Sequence, residues 1–175
     1  MPHLSPQSIL VLCEGNFCRS PLAEALLQAE LGPGIRVESA GLGALDGYAP
    51  HPAAVSLMAE RGIDITSRRS RQVTPAMALA ADLILVMDQH QKQWCEAMAP
   101  STLGRVHLLG CWLPPDQQEI PDPNRKSADV FTRAFSLIAQ SVVLWRDHLD
   151  PPPQGNQSGQ GKEGPSRHNA LDVQR

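Results

Sequence analysis

At 175 residues, of which 42% are hydrophobic, the chain is long enough to close one core and short for two ordinary domains. A formal net charge of -3 excludes the global positive field that draws proteins to nucleic acid or anionic lipid, so any anion recognition here is local. The early apolar run Ile9 to Leu12 is too short for a signal-peptide core, and nothing approaches the length of a membrane span. Four cysteines without a secretory signal read as reduced thiols rather than a disulfide framework. The expectation is a cytoplasmic protein that neither inserts in a membrane nor binds nucleic acid.

The first element is the run Ser8-Ile-Leu-Val-Leu-Cys13, which suits a strand buried on both faces of a parallel sheet. A polar, glycine-containing loop follows. Ser20 then reads as an N-cap and Pro21 as the first helical residue, with Leu22, Ala25, Leu26 and Ala29 at helical spacing as far as Gly32. Residues 35 to 39 read as a second strand, and Pro52 opens a helix that Gly62 can end. Leu83 to Met87 is a third strand, residues 89 to 99 a helix, and residues 106 to 109 a short fourth strand. The last helix is expected from about Ser127 to about Leu149, since Val130, Ala134, Leu137, Ile138, Ser141 and Trp145 trace one face.

Alternation of strands and helices predicts a single-domain α/β fold, a parallel sheet with helices on both faces. The domain should comprise residues 1–149. Residues 150–175 open, after Asp150, with three consecutive prolines, continue with glycine, glutamine, serine and charge, and read as a disordered tail.

The chemistry concentrates in Cys13-Glu14-Gly15-Asn16-Phe17-Cys18-Arg19-Ser20, between a buried strand and a helix N-terminus. Successive backbone N–H groups in such a loop curl into an anion-binding nest, and the helix dipole adds partial positive charge at the same point. Arg19 offers a planar fork for two phosphate oxygens and for the charge of a phosphoryl-transfer transition state. The same environment favours a thiolate nucleophile at Cys13, to which Ser20 can donate a hydroxyl hydrogen bond. Gly15 permits a tight, left-handed loop backbone, which Asn16 also tolerates. A cysteine at a strand end is ordinarily a core residue; arginine at this spacing, with glycine in the loop and serine next, changes that reading. The glycine-lysine pair of a nucleotide-binding loop is absent. For the proton needed by a leaving phenolate or alcohol, the candidate is Asp122, held between Pro121 and Pro123.

With these motifs in order, Cys13 to Pro21, then Val37-Glu-Ser-Ala-Gly-Leu42 and Ile120-Pro-Asp-Pro123, residues 7 to 149 closely resemble the low-molecular-weight protein tyrosine phosphatases. The likeness is to the bacterial branch that partners tyrosine kinases of exopolysaccharide and capsule export. The resemblance implies a four-stranded parallel sheet, nucleophile Cys13, phosphate-binding Arg19, Asp122 as acid and then base, and no metal or cofactor. It implies a phosphotyrosine protein as partner, such as an autophosphorylated bacterial tyrosine kinase. It makes Asn16 and Ser20 supports of the phosphate loop, and Cys18 the neighbour that traps an oxidised nucleophile as a disulfide. Phe17, Leu45 and Asn124 shape the mouth of the pocket; Asn124 stands where the family usually has tyrosine, and Leu45 where many animal members have tryptophan.

Rival readings are arsenate reduction, which needs a close downstream cysteine pair that Cys95 and Cys111 do not form, and phosphoarginine hydrolysis, which goes with a small threonine at the position of Phe17. A non-catalytic phosphopeptide-binding module would not need Cys13, Arg19 and Asp122 together. Cys95 and Cys111 read as buried thiols. Arg68, Arg69 and Arg71 form a basic run that suits either an acidic or phosphorylated segment or a plain solvated surface.

Overall fold

The computed structural model describes residues 5–149; the tail expected at 150–175 lies outside them. Four strands, β1 (Ser8–Cys13), β2 (Arg36–Gly41), β3 (Leu83–Val86) and β4 (Val106–Leu108), pair in the order β2-β1-β3-β4, all parallel. Every residue of β1 and β3 is buried, as continuous apolar runs in a sheet covered on both faces require.

Side chains alternate across the sheet and separate two apolar layers. Ile9, Val11, Leu83 and Leu85 face one layer, with α1 (Arg19–Leu31) and α5 (Ala128–Leu149). Leu10, Leu12, Ile84 and Val86 face the other, with α3 (Pro75–Ala80) and α4 (Gln89–Met98). A shorter helix, α2 (Pro52–Ala59), adds Ala54 and Met58 to the first layer. On α5 the buried stripe runs Phe131, Ala134, Leu137, Ile138, Ser141, Val142, Trp145 and Leu149. Phe131 therefore makes the contact expected of Val130, which is only half-buried. The indole N–H of Trp145 donates to the Leu109 carbonyl at 2.8 Å and fastens the helix to the sheet.

Three local expectations change. The first helix begins at Arg19, with Cys18 at the cap position and no side-chain cap; Ser20 lies inside the first turn because its hydroxyl is committed elsewhere. Pro21 is tolerated there because the N–H groups of a first turn have no intrahelical acceptor. The strand expected at residues 35 to 39 is shifted, running from Arg36 to Gly41. Helix α3 has no counterpart in the sequence reading, although Thr74 accepts from the Met77 N–H at its cap and Pro75 opens it; six residues of alanine, leucine, methionine and proline are too few to show a period.

The strand order places the site. The chain leaves β1 toward β2 on one side and returns to β3 on the other, so β1 ends at the switch point of the sheet, where open α/β sheets form their crevice. Cys13 is the last residue of β1.

Candidate active site

The loop between β1 and α1 is held from three directions. Leu42 N–H donates to the Cys13 carbonyl at 2.9 Å and Gly43 N–H to the Glu14 carbonyl at 3.0 Å, while His51 N–H donates to the Phe17 carbonyl at 2.7 Å. Gly41 is required by proximity: a Cβ there would stand 2.6 Å from the Glu14 carbonyl oxygen and 3.0 Å from the Asn16 nitrogen. His51 also caps α2, its Nδ1 accepting from the Ala53 N–H at 3.2 Å.

Asn16, at φ 53°, is the left-handed residue of the loop; of the two residues that permit that conformation, Gly15 does not adopt it. Gly15 is instead crowded by the Phe17 ring, 2.3 Å from where its Cβ would be. Asparagine pays for that conformation with its side chain, which bonds locally where bulkier residues cannot. Its Nδ2 donates to Ser20 Oγ at 2.9 Å and to Ser39 Oγ at 2.8 Å, and its Oδ1 accepts from the Arg71 N–H at 2.9 Å. Ser39 Oγ donates in turn to the Glu24 carboxylate at 2.5 Å, and Glu24 is ion-paired with Arg68.

The direction of this chain follows from its acid end. A carboxylate only accepts, so Ser39 gives its hydrogen to Glu24, and both Asn16 amide hydrogens go to hydroxyl oxygens. Ser20 then keeps its own hydrogen for Cys13 Sγ, 3.0 Å away. The N–H groups of residues 14–18 donate to no protein acceptor among the described residues. They open at the N-terminus of a 13-residue helix, which makes the loop an anion cradle.

Arg19 is 3% exposed, which is low for a charged side chain. Its Nη1 donates to the Ile120 carbonyl at 3.0 Å and its Nη2 lies 3.2 Å from Asp122 Oδ2. The guanidinium thus ties the phosphate loop to the loop before α5. Asp122 is half exposed, and its Oδ1 accepts from the Asn124 N–H at 3.1 Å, a turn that orients the carboxyl. A cleft of about 420 Å³ opens here, lined among others by Glu14, Arg19, Asp88, Glu119 and Asp122. Leu45 and Tyr48, 67% and 59% exposed, stand on the segment between β2 and α2.

Cys18 sits in the same loop as a buried free thiol. Burial, and then the neighbouring Cys13, push its thiol up to about 12, against the opposing pull of Arg19. Cys95 is buried, and Cys111 half-buried, both as free thiols.

The structure therefore joins Cys13, Ser20 and Asn16 in one hydrogen-bonded set and Arg19 and Asp122 in an ion pair, Arg19 being the neighbour of Ser20 in the chain, and puts Leu45 and Asn124 at exposed positions. Sequence reading missed Ser39 and Glu24, and named Arg71 only within the basic run and not as a partner of Asn16. Ser39 falls inside the motif Val37 to Leu42, but no spacing rule joins a strand serine to a loop asparagine 23 residues away.

A buried thiol and guanidinium around a ring of free amides, at the switch point of a parallel sheet, define a protein that handles phosphate through a cysteine. Residues 8–152 match the family described as low molecular weight phosphotyrosine protein phosphatase. The probable low molecular weight protein-tyrosine-phosphatase EpsP of Ralstonia nicotianae is 47% identical over 139 residues, covering 79% of this chain and 93% of its own. The crystal structure of the Erwinia amylovora tyrosine phosphatase amsI superposes with a TM-score of 0.80 at 35% identity, covering 86% of this chain and 97% of that one. The YwlE arginine phosphatase of Geobacillus stearothermophilus shares the fold at 28% identity and a TM-score of 0.75, covering 82% and 93%. The chain belongs to the low molecular weight phosphotyrosine protein phosphatase family and is an enzyme of that class.

Proposed function

We propose that the phosphatase reaction runs through a cysteinyl-phosphate on Cys13, with Arg19 as phosphate ligand and Asp122 as acid and then base. The observation that carries this reading is the convergence on one buried guanidinium, Arg19, of the Cys13 loop and the Asp122 carboxyl at 3.2 Å. An arriving phosphate dianion takes donors of Arg19 away from Asp122 and sits on the amides of residues 14–18. Cys13 Sγ attacks phosphorus as the P–O bond to the tyrosine breaks, and Asp122 gives its proton to the departing phenolate. Water then attacks phosphorus, Asp122 takes its proton, and the S–P bond breaks to release phosphate and restore the thiolate. Ser20 donates to sulfur at both stages.

Glu14, Gly15, Asn16, Phe17, Cys18 and Ser20 form or support the phosphate pocket in this reading, and Leu45 and Asn124 line its mouth. The substrate is a phosphotyrosine protein; an autophosphorylated bacterial tyrosine kinase of polysaccharide export, met in the cytoplasm, fits the branch that the sequence resembles. No helix among the described residues is long and apolar enough to cross a membrane. The catalytic unit is residues 1–149, with the tail dispensable for turnover. Phe17, at the position where a small threonine goes with phosphoarginine hydrolysis, favours an aromatic substrate; its ring lies against Gly15.

The test compares phosphotyrosine, phosphoserine and phosphoarginine peptides with and without chelator. Phosphotyrosine should be hydrolysed fastest without added metal, vanadate should inhibit, and Cys13→Ser should stop turnover while still binding phosphate. Full turnover in Cys13→Ser would end the mechanism, and faster phosphoarginine hydrolysis would move the enzyme to the other class.

A further inference from the structure

Behind the phosphate loop, on the side away from Asp122, lies a second cleft of about 230 Å³ whose walls include Asn16, Glu24, Ser39, Arg68, Arg69 and Arg71. Three guanidinium groups line it with the Glu24 carboxylate, and Glu38 stands beside Arg71, in a chain whose net charge is -3. Glu24 takes Nη1 of Arg68, and the Ser39 carbonyl takes Nε of Arg71 at 2.9 Å, with Glu38 3.8 Å from its Nη2. Arg69 spends only Nη1, on the carbonyls of Thr66 and Arg68. Among the described residues, Nε and Nη2 of Arg68 and of Arg69, and Nη1 of Arg71, meet no protein acceptor. A guanidinium has five N–H donors, so the local carboxylates neutralise only part of the cleft's charge and use few of its donors.

The cleft is also joined to the mouth of the active site. Ser70, within the basic run, accepts from the Tyr48 N–H at 2.9 Å and donates to the Leu45 carbonyl at 2.5 Å. The Gly47 N–H donates to the Ser70 carbonyl at 2.8 Å, and the Asp46 carboxyl accepts from the Gln72 N–H at 2.7 Å. Exposed Leu45 and Tyr48 are thus fastened by hydrogen bonds to the segment that carries the three arginines. On the Asp122 side the walls carry Glu14, Asp88 and Glu119, so an acidic segment is repelled there and attracted here.

We propose that the Arg68–Arg69–Arg71 cleft is a second oxyanion site that binds an acidic or phosphorylated residue of the same peptide whose phosphotyrosine occupies the Cys13 loop. It rests on the phosphatase reading and adds to it the composition of the substrate: negative charge beside the target tyrosine. The shared chemistry is a carboxylate or phosphate oxyanion, and guanidinium donors accept either.

The experiment measures kcat/KM for three peptides differing only beside the phosphotyrosine, with flanking alanines, flanking aspartates or a second phosphotyrosine, and for a small aryl phosphate. Wild-type enzyme should prefer both anionic peptides, with the preference shrinking as salt is raised; a larger gain from the second phosphotyrosine assigns the site to phosphate, equal gains to any oxyanion. Arg69→Gln should erase most of the preference and Arg69→Glu should lower kcat/KM for the anionic peptides about fivefold to tenfold. Both variants should keep the aryl phosphate within about twofold, since the Arg69 side chain bonds only the carbonyls of Thr66 and Arg68 and no group of the phosphate loop among the described residues. Equal rates on all three peptides, a preference untouched by Arg69→Gln, or the same loss on the aryl phosphate as on the peptides would each overturn the second site. Wild-type enzyme inert toward the aryl phosphate would instead refute the catalytic reading.

Discussion

The phosphate loop and the rim around it are built on opposite terms. Asn16, Arg19 and Ser20 are buried polar residues whose side chains bond one another, the sheet or the loop before α5. Leu45, Tyr48 and Asn124 are exposed, on segments fastened through backbone groups. Groups that must be fixed to within fractions of an ångström are thereby made part of the core, where a lost bond also costs stability. Groups that choose the substrate can be exchanged without touching the fold. Changes inside the loop should damage fold and turnover together, while changes at the rim should separate them.

The largest effect is expected at the junction of the two regions. Arg19→Lys keeps a charge but loses the fork, so kcat should fall by about 10²–10³-fold, and the melting temperature should fall too because the Ile120 carbonyl loses its partner. An unchanged kcat would remove Arg19 from phosphate binding.

Asp122→Asn tests the exposed member of the pair. Turnover of a phosphotyrosine peptide should fall by about 10²-fold or more for loss of a general acid. An aryl phosphate with a strongly acidic phenol, which leaves without help, should lose much less. The melting temperature should hardly move, since Asp122 is half exposed. Equal losses on both substrates would point to a positioning role for Asp122 and away from proton transfer.

This contrast also explains what could be read from the sequence. Strands β1 and β3 announce themselves as apolar runs, and Cys13, Arg19 and Asp122 stand in short motifs whose chemistry is local: a thiol and a fork around one loop, a carboxyl between two prolines. The network beneath is not local. Ser39 reaches Asn16 because β2 pairs with β1 in register, Ser39 beside Val11, and Arg71 reaches it by its backbone, which carries no residue signature at all. Gly15 is ambiguous for the same reason: a glycine marks either a left-handed φ or a close approach, and only the position of the Phe17 ring decides which.

Asn16 allows its conformation and its bonds to be weighed separately. Asn16→Gly keeps the left-handed backbone but leaves the Arg71 N–H without its acceptor and takes one donor each from the Ser20 and Ser39 hydroxyls, which keep Cys13 and Glu24 as partners, for a loss of about 1–3 kcal/mol in urea denaturation. Asn16→Ala loses the same bonds and adds about 1 kcal/mol for φ at 53°. Glycine should therefore be the milder replacement in stability and in turnover. Equal denaturation midpoints would mean that the left-handed loop costs nothing to hold.

The smallest effect concerns Cys18 and appears only with time and pH. If Cys13 is oxidised to its sulfenic acid, attack by the Cys18 thiolate forms the S–S bond, with the sulfenic oxygen leaving as hydroxide. Burial, the larger of the two causes that raise the Cys18 thiol, is still present once Cys13 is a sulfenic acid, so Cys18 stays largely protonated at neutral pH. The raised value favours the unreactive protonated form throughout the neutral range, and closure of the disulfide should quicken about tenfold for each unit that pH rises while Cys18 is mostly protonated. A brief peroxide pulse at pH 7, quenched with catalase and followed by transfer to pH 7, 8 or 9, isolates that step. Alkylation of the remaining thiols and peptide mapping then give the rate of the Cys13–Cys18 link. A rate indifferent to pH, or Cys13 found joined to Cys95 or Cys111, would show that Cys18 is a packing residue of the loop and that its burial leaves the nucleophile without a resolving partner.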